Sequence, residues 1–208
     1  AKSLSNWAEG DLIRLQCYEG IDSNQAVYEW DYARQLLHLR TAEASGRAED
    51  VSTDILEGEL YDERFLIRRP LLQALSVKND PPPVLLIDEI DRADDEFEAF
   101  LLEILSEYSI TIPELGTYRS EVKPIVVITS NRTRDLHDAL KRRCFYHWVE
   151  HPDVEREIEI IRIRAPKVPL LLAEEVSKAA ALLRGMDLYK PPGVAETIDW
   201  AEALVTIG

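Results

Sequence analysis

Two acids end an apolar run, Leu86-Ile87-Asp88-Glu89. At the carboxyl end of a strand buried in a parallel sheet, such acids face the crevice where open α/β sheets bind ligands. In a phosphoryl-transfer site, Asp88 can hold Mg2+ directly or through the ion's water. Glu89 can orient or deprotonate an attacking water. The competing reading is structural: the pair begins a loop and caps the helix that follows. A second apolar run, Pro124-Ile125-Val126-Val127-Ile128, leads into Thr129-Ser130-Asn131. The Asn131 amide could orient the same water or hydrogen-bond a γ-phosphate without adding charge. Taken singly, Asn131 reads as a turn or cap residue. Its weight comes from position, because neighbouring strands ending in Asp-Glu and Asn make one polar cluster. A third feature is the basic pair Arg142-Arg143, which ends the short helical stretch from Leu136. One reading is a solvated terminus that complements the helix dipole. The other is an arginine finger presented to a neighbouring subunit's nucleotide, worth roughly 10³ to 10⁵ in rate, or about 4 to 7 kcal/mol of barrier.

These residues need elements to hold them. Val84 to Ile87 and Ile125 to Thr129 are wholly apolar or β-branched, as strands buried on both faces of a parallel sheet are. Leu12-Ile13-Arg14-Leu15-Gln16-Cys17 is a weaker third strand. Helical spacing links Ala26, Trp30, Ala33 and Leu37, and again Phe97, Leu101 and Ile104 after Asp94-Asp95. Strands alternating with helices predict an α/β layered sheet. Ser109 to Tyr118 alternates about a Gly-containing turn and reads as a β-hairpin inserted before the second buried strand. Thr41 to Glu59 is polar and reads as a mobile excursion. Behind residue 150 no strand is needed. Helices are expected on Val154, Ile158 and Ile161, on Leu172, Val176, Ala180 and Leu183 up to Gly185, and on Val194, Ile198, Ala201 and Val205. The expected division is an α/β core over 1–150 and a small all-α domain over 151–208.

Composition excludes several classes. Of 208 residues, 24 are basic and 39 acidic, a net charge of −15, and 46% are hydrophobic. That is enough apolar material for a core. The acidity argues against general attraction to a nucleic-acid backbone, and no apolar run approaches the roughly 20 residues that span a bilayer. Cys17 and Cys144 are too few for a disulfide framework and read as small buried residues, with a reducing cytoplasm as the default location. The four histidines show no metal-ligand grouping, and the four tryptophans read as core or boundary aromatics.

In order, these motifs resemble those of the AAA+ ATPases and, within them, the MoxR-type branch. The resemblance covers nearly the whole chain. It sets Asp88-Glu89 on the Walker B motif, Asn131 on sensor 1, and Arg143 on the arginine finger with Arg142 as its adjacent rival. The Ile110–Tyr118 hairpin resembles the pre-sensor 1 insertion, and residues 152–208 resemble the helical lid. The resemblance implies ATP and Mg2+ as cofactors, a homo-oligomeric ring, a hexamer by analogy, and remodelling of a client protein. Cys17-Tyr18-Glu19-Gly20 and Lys190-Pro191-Pro192-Gly193 resemble segments of ATPases that mature molybdenum hydroxylases, which implies such a client.

The sequence departs from the family pattern twice. No G-x-x-x-x-G-K-[ST] phosphate loop occurs in the 208 residues, although Lys2-Ser3 superficially matches its end. The family pattern places Ala1 just after that loop, so the chain reads as a part lacking it. Negligible ATPase activity is therefore expected of these 208 residues alone. An alternative follows: an AAA-like fold kept for assembly without catalysis. Where relatives carry a sensor 2 arginine, this chain has Pro192-Gly193-Val194-Ala195, and Lys190 is the candidate substitute.

Overall fold

A computed structural model of the chain describes residues 1–45, 53–78 and 81–207. The described chain divides into two compact units, Ala1–Phe145 and Tyr146–Gly208. The first unit opens with α1 (Lys2–Ala8), β1 (Leu12–Gln16), α2 (Ser23–Val27), β2 (Tyr28–Trp30), α3 (Tyr32–Ala44) and α4 (Thr53–Leu60). It continues with β3 (Leu66–Arg68), α5 (Pro70–Leu75), β4 (Val84–Asp88) and α6 (Asp95–Glu107). It ends with β5 (Ser109–Ile112), β6 (Gly116–Arg119), β7 (Ile125–Ile128) and α7 (Asp138–Lys141). The second unit holds α8 (Val154–Arg164), α9 (Leu170–Arg184) and α10 (Val194–Ile207). The fold is thus the predicted α/β class, a parallel sheet flanked by helices, followed by a helical carboxyl-terminal part.

β1, β4 and β7 form a three-stranded parallel sheet in that order, with Leu12 paired to Val84 and Val84 to Ile125. The central place falls to β4 because Val84 to Ile87 are apolar, and Val84, Leu85 and Ile87 are fully buried. Gly10 allows β1 to begin against the start of β4. A Cβ there would lie 2.0 Å from the Pro82 carbonyl oxygen. α6 packs Phe97, Leu101 and Ile104 into the core. Asp94 caps it by accepting from the Phe97 N–H at 2.8 Å, and Asp95, Glu96 and Glu98 complement the positive end of its dipole. The β5–β6 hairpin turns at Gly116, whose φ of 89° lies in the left-handed region that glycine adopts freely.

Several expectations give way to non-local pairing. The helical spacing of Ala26, Trp30, Ala33 and Leu37 does not mark one helix. Tyr28–Trp30 is a strand paired antiparallel with Leu66–Arg68, and Asp31 starts a new helix by accepting from the Arg34 N–H. On α3 the buried residues are Gln35 and Ala42, while Leu37 is exposed. The stretch read as an excursion from Thr41 to Glu59 is helical at both ends, in α3 and α4; its residues 46–52 lie outside the described residues. Cys17 is buried as expected, but Cys144 is exposed. Trp30 is a core residue, whereas Trp7 is 78% exposed. No helix among the described residues is long and apolar enough to cross a membrane.

In the second unit, Ile161, Ala165, Val168, Ala173, Val176 and Ala201 make a separate apolar core. A buried ion pair crosses it. Arg184 grips Glu157 through two hydrogen bonds, at 2.8 and 2.6 Å, and also donates to the Pro192 carbonyl and the Thr197 hydroxyl. One guanidinium therefore ties all three helices together, and removing either partner would strand a buried charge.

Candidate functional site

The carboxyl ends of β4 and β7 meet through one hydroxyl. Thr129 Oγ1 donates to Asp88 Oδ1 at 2.5 Å and accepts from the Glu89 N–H at 3.0 Å. The Thr129 carbonyl accepts from the Ile90 N–H at 3.0 Å. From β1, Arg14 pairs with the other oxygen of Asp88, Nε lying 3.0 Å from Oδ2. The Thr129 hydroxyl is the largest influence that holds the Asp88 carboxyl below its ordinary value; Arg14 adds to it, and partial burial opposes both. Glu89 adopts a left-handed backbone, φ 56°, and its carboxylate faces Arg92 at 3.3 Å. Behind the turn, burial and then the charges of Asp88, Asp91 and Glu89 push the Cys17 thiol up to about 12, so it stays protonated and is no nucleophile.

Asn131 sits on the loop after β7, and a buried carboxylate places that loop. Asp91 Oδ1 accepts from the Asn131 N–H at 3.1 Å, and Oδ2 accepts from the Thr133 N–H at 2.9 Å and its hydroxyl at 2.7 Å. The Asn131 side chain itself is exposed and makes no hydrogen bond among the described residues. Farther along, Arg134 donates to the Ala93 carbonyl and to Asp95, and pairs with the fully buried Glu98. Glu98 also accepts from the His137 N–H at 2.9 Å. α6 therefore fixes the route from Asn131 to α7.

Burial alone would raise the pKa of Asp91, but the Thr133 hydroxyl and then the backbone N–H groups of Thr133 and Asn131 outweigh it and hold it below 3.8. A depressed pKa gives stability that is present above the ordinary value and lost as pH falls through the folded one. Asp91→Ala should therefore cost about 2 kcal/mol at neutral pH, the cost of leaving partly buried donors unpaired. That gap from wild type should begin to narrow as pH falls below about 4. Urea denaturation at stepped pH measures it, and a gap independent of pH would show that the charge of Asp91 does not hold the loop.

The arginine pair follows α7. Arg143 donates to the Leu102 carbonyl at 3.1 Å and to the Ser106 hydroxyl, both on α6 of its own chain. Arg142 is exposed and has no side-chain partner among the described residues. Lys190 belongs to the other unit, where it is exposed and faces Glu196 at 3.8 Å. The structure thus brings Asp88, Glu89 and the Asn131 loop together and sets Arg142 and Arg143 on the same unit. Thr129, Asp91 and Arg14 complete the cluster, and residue spacing singles out none of them. Arg14, a charged residue among Leu12, Ile13 and Leu15 of β1, is the one sequence signal that points here.

No protein-family model matches the chain, and neither does any curated protein. Among solved structures it is similar to a crystal structure described as a "putative ATPase" from Cytophaga hutchinsonii, with 16% sequence identity and a TM-score of 0.49. The similarity covers 88% of this chain and 51% of that one, so the chain spans about half of that protein's length. At that identity and score the likeness supports no conclusion about function.

Proposed function

We propose that the chain is part of an ATP-hydrolysing remodelling ATPase of the AAA+ class, MoxR-type branch. The observation that carries this reading is the convergence of Asp88-Glu89 and the Asn131 loop on adjacent parallel strands, joined by the Thr129 hydroxyl. The carboxylate that would hold Mg2+ is Asp88, whose two oxygens here meet Thr129 and Arg14. Asp88 is a hard oxygen ligand held toward its ionised form, and Mg2+ is usually bound by one or two carboxylates together with substrate phosphates. When bound with ATP, the ion neutralises charge on the transferred phosphoryl group. Asp88 holds that ion, Glu89 orients the attacking water and takes its proton, and the Asn131 amide positions the same water. Arg143, with Arg142 as its rival, acts on the nucleotide of the next subunit in a homo-oligomeric ring, a hexamer by resemblance. Lys190 is the candidate for a phosphate contact from the helical part. The client that the resemblance implies is a molybdenum hydroxylase, and the setting is the cytoplasm.

Hydrolysis of Mg-ATP by the full-length protein tests the reading. Phosphate release that stops when Mg2+ is chelated is the expected result. A full-length protein that binds no Mg-ATP at millimolar concentration overturns it in favour of a non-catalytic assembly module.

A further inference from the structure

We propose that Thr129 is a positioning residue for hydrolysis, one that sets Glu89 in its working conformation while it orients Asp88. The inference rests on the hydrolytic reading of Glu89. Glu89 occupies the left-handed region at φ 56° and ψ 50°, which a side chain with a Cβ enters at a cost. Such a conformation persists only where its surroundings over-determine it, and Thr129 supplies those surroundings. Its N–H donates to the Ile87 carbonyl at 2.9 Å, its hydroxyl accepts from the Glu89 N–H, and its carbonyl accepts from the Ile90 N–H. The same hydroxyl spends its single proton on Asp88 Oδ1. One oxygen therefore sets the spacing of the two acids: it fixes a carboxylate oxygen of the first and the backbone of the second. The β-branch of threonine limits χ1, so the hydroxyl is held where both contacts are made. The Asp88 carboxylate could not turn away, nor the Glu89 backbone leave this turn, without breaking a bond to this residue.

The test uses Thr129→Val, which keeps the branched shape and removes the hydroxyl, and Thr129→Ser, which restores it. In the full-length protein, amide hydrogen exchange at Glu89 should quicken about tenfold in Thr129→Val, as expected for the loss of one ordinary hydrogen bond. Exchange across α6 should stay as in wild type. The kcat for ATP should fall about ten- to a hundredfold, the scale of an ångström-sized misplacement, with KM little changed. Thr129→Ser should recover both readings. Unchanged exchange at Glu89, or exchange raised evenly through the chain, overturns the proposal. So does local loosening with normal kcat, provided Glu89→Gln is inactive. If Glu89→Gln itself turns over normally, the hydrolytic reading fails, and with it the catalytic half of this inference. The exchange measurement needs no nucleotide, so it still reports whether Thr129 holds the turn.

Discussion

In the full-length protein, Glu89→Gln should bind Mg-ATP nearly as wild type does and hydrolyse it at least about a hundredfold more slowly, the lower end of what a positioned general base contributes. Glutamine has nearly the shape of glutamate, and it enters the left-handed backbone at Glu89 at a similar cost. What it lacks is a site that takes a proton from the attacking water. The substitution also removes an ion pair with Arg92, but that pair lies at 3.3 Å between partly exposed side chains three residues apart. Pairs of that kind contribute about 0 to 1 kcal/mol, so the fold should survive. The Glu89 N–H bond to Thr129 comes from the backbone and is kept. Phosphate release and calorimetric nucleotide binding, measured on the same preparation, separate chemistry from affinity. Unchanged turnover would remove Glu89 from the role given to it, and lost binding would mean that the turn holds nucleotide rather than water.

The sheet that carries these acids is legible because burial on both faces demands an unbroken apolar run, and β4 meets that demand at Val84, Leu85 and Ile87. β7 reads the same way from Ile125 to Ile128, and β1 less clearly, since Arg14 and Gln16 interrupt it. Those interruptions have a cause: Arg14 reaches Asp88 on the neighbouring strand. Tyr28–Trp30 is illegible for the opposite reason. Its partner, Leu66–Arg68, lies far along the chain, and an accidental helical spacing through Trp30 masks the break that Asp31 makes. Helix starts are local and can be read, as at Asp94, which precedes the Phe97, Leu101 and Ile104 stripe. Asp91 and Glu98 look like ordinary acids near a helix start until folding brings the loop after β7 onto them. Buried carboxylates that hold a distant backbone leave no spacing to find. The same is true of Arg184 and Glu157, whose pairing needs three helices already in place.

Arg143→Ala in the full-length protein should abolish turnover, by roughly 10³-fold or more, while nucleotide binding stays nearly intact, because an arginine finger acts mainly on transition-state charge. A finger works across a subunit interface, so a neighbour that still has one should rescue its loss. Mixing Arg143→Ala with Glu89→Gln should restore part of the activity, since mixed rings contain interfaces that pair an intact Glu89 with an intact Arg143. Arg142→Ala is the control. The two guanidinium groups have different surroundings: Arg143 is held by the Leu102 carbonyl and the Ser106 hydroxyl of α6, while Arg142 is exposed without a side-chain partner among the described residues. To reach a neighbour, Arg143 must release those contacts, at about 1 kcal/mol each, a small part of what a finger contributes. If Arg142→Ala is inactive and Arg143→Ala turns over normally, the finger is the neighbouring residue, and the hold on α6 is what keeps Arg143 structural. If mixed rings form and nothing is restored, Arg143 does not act in trans.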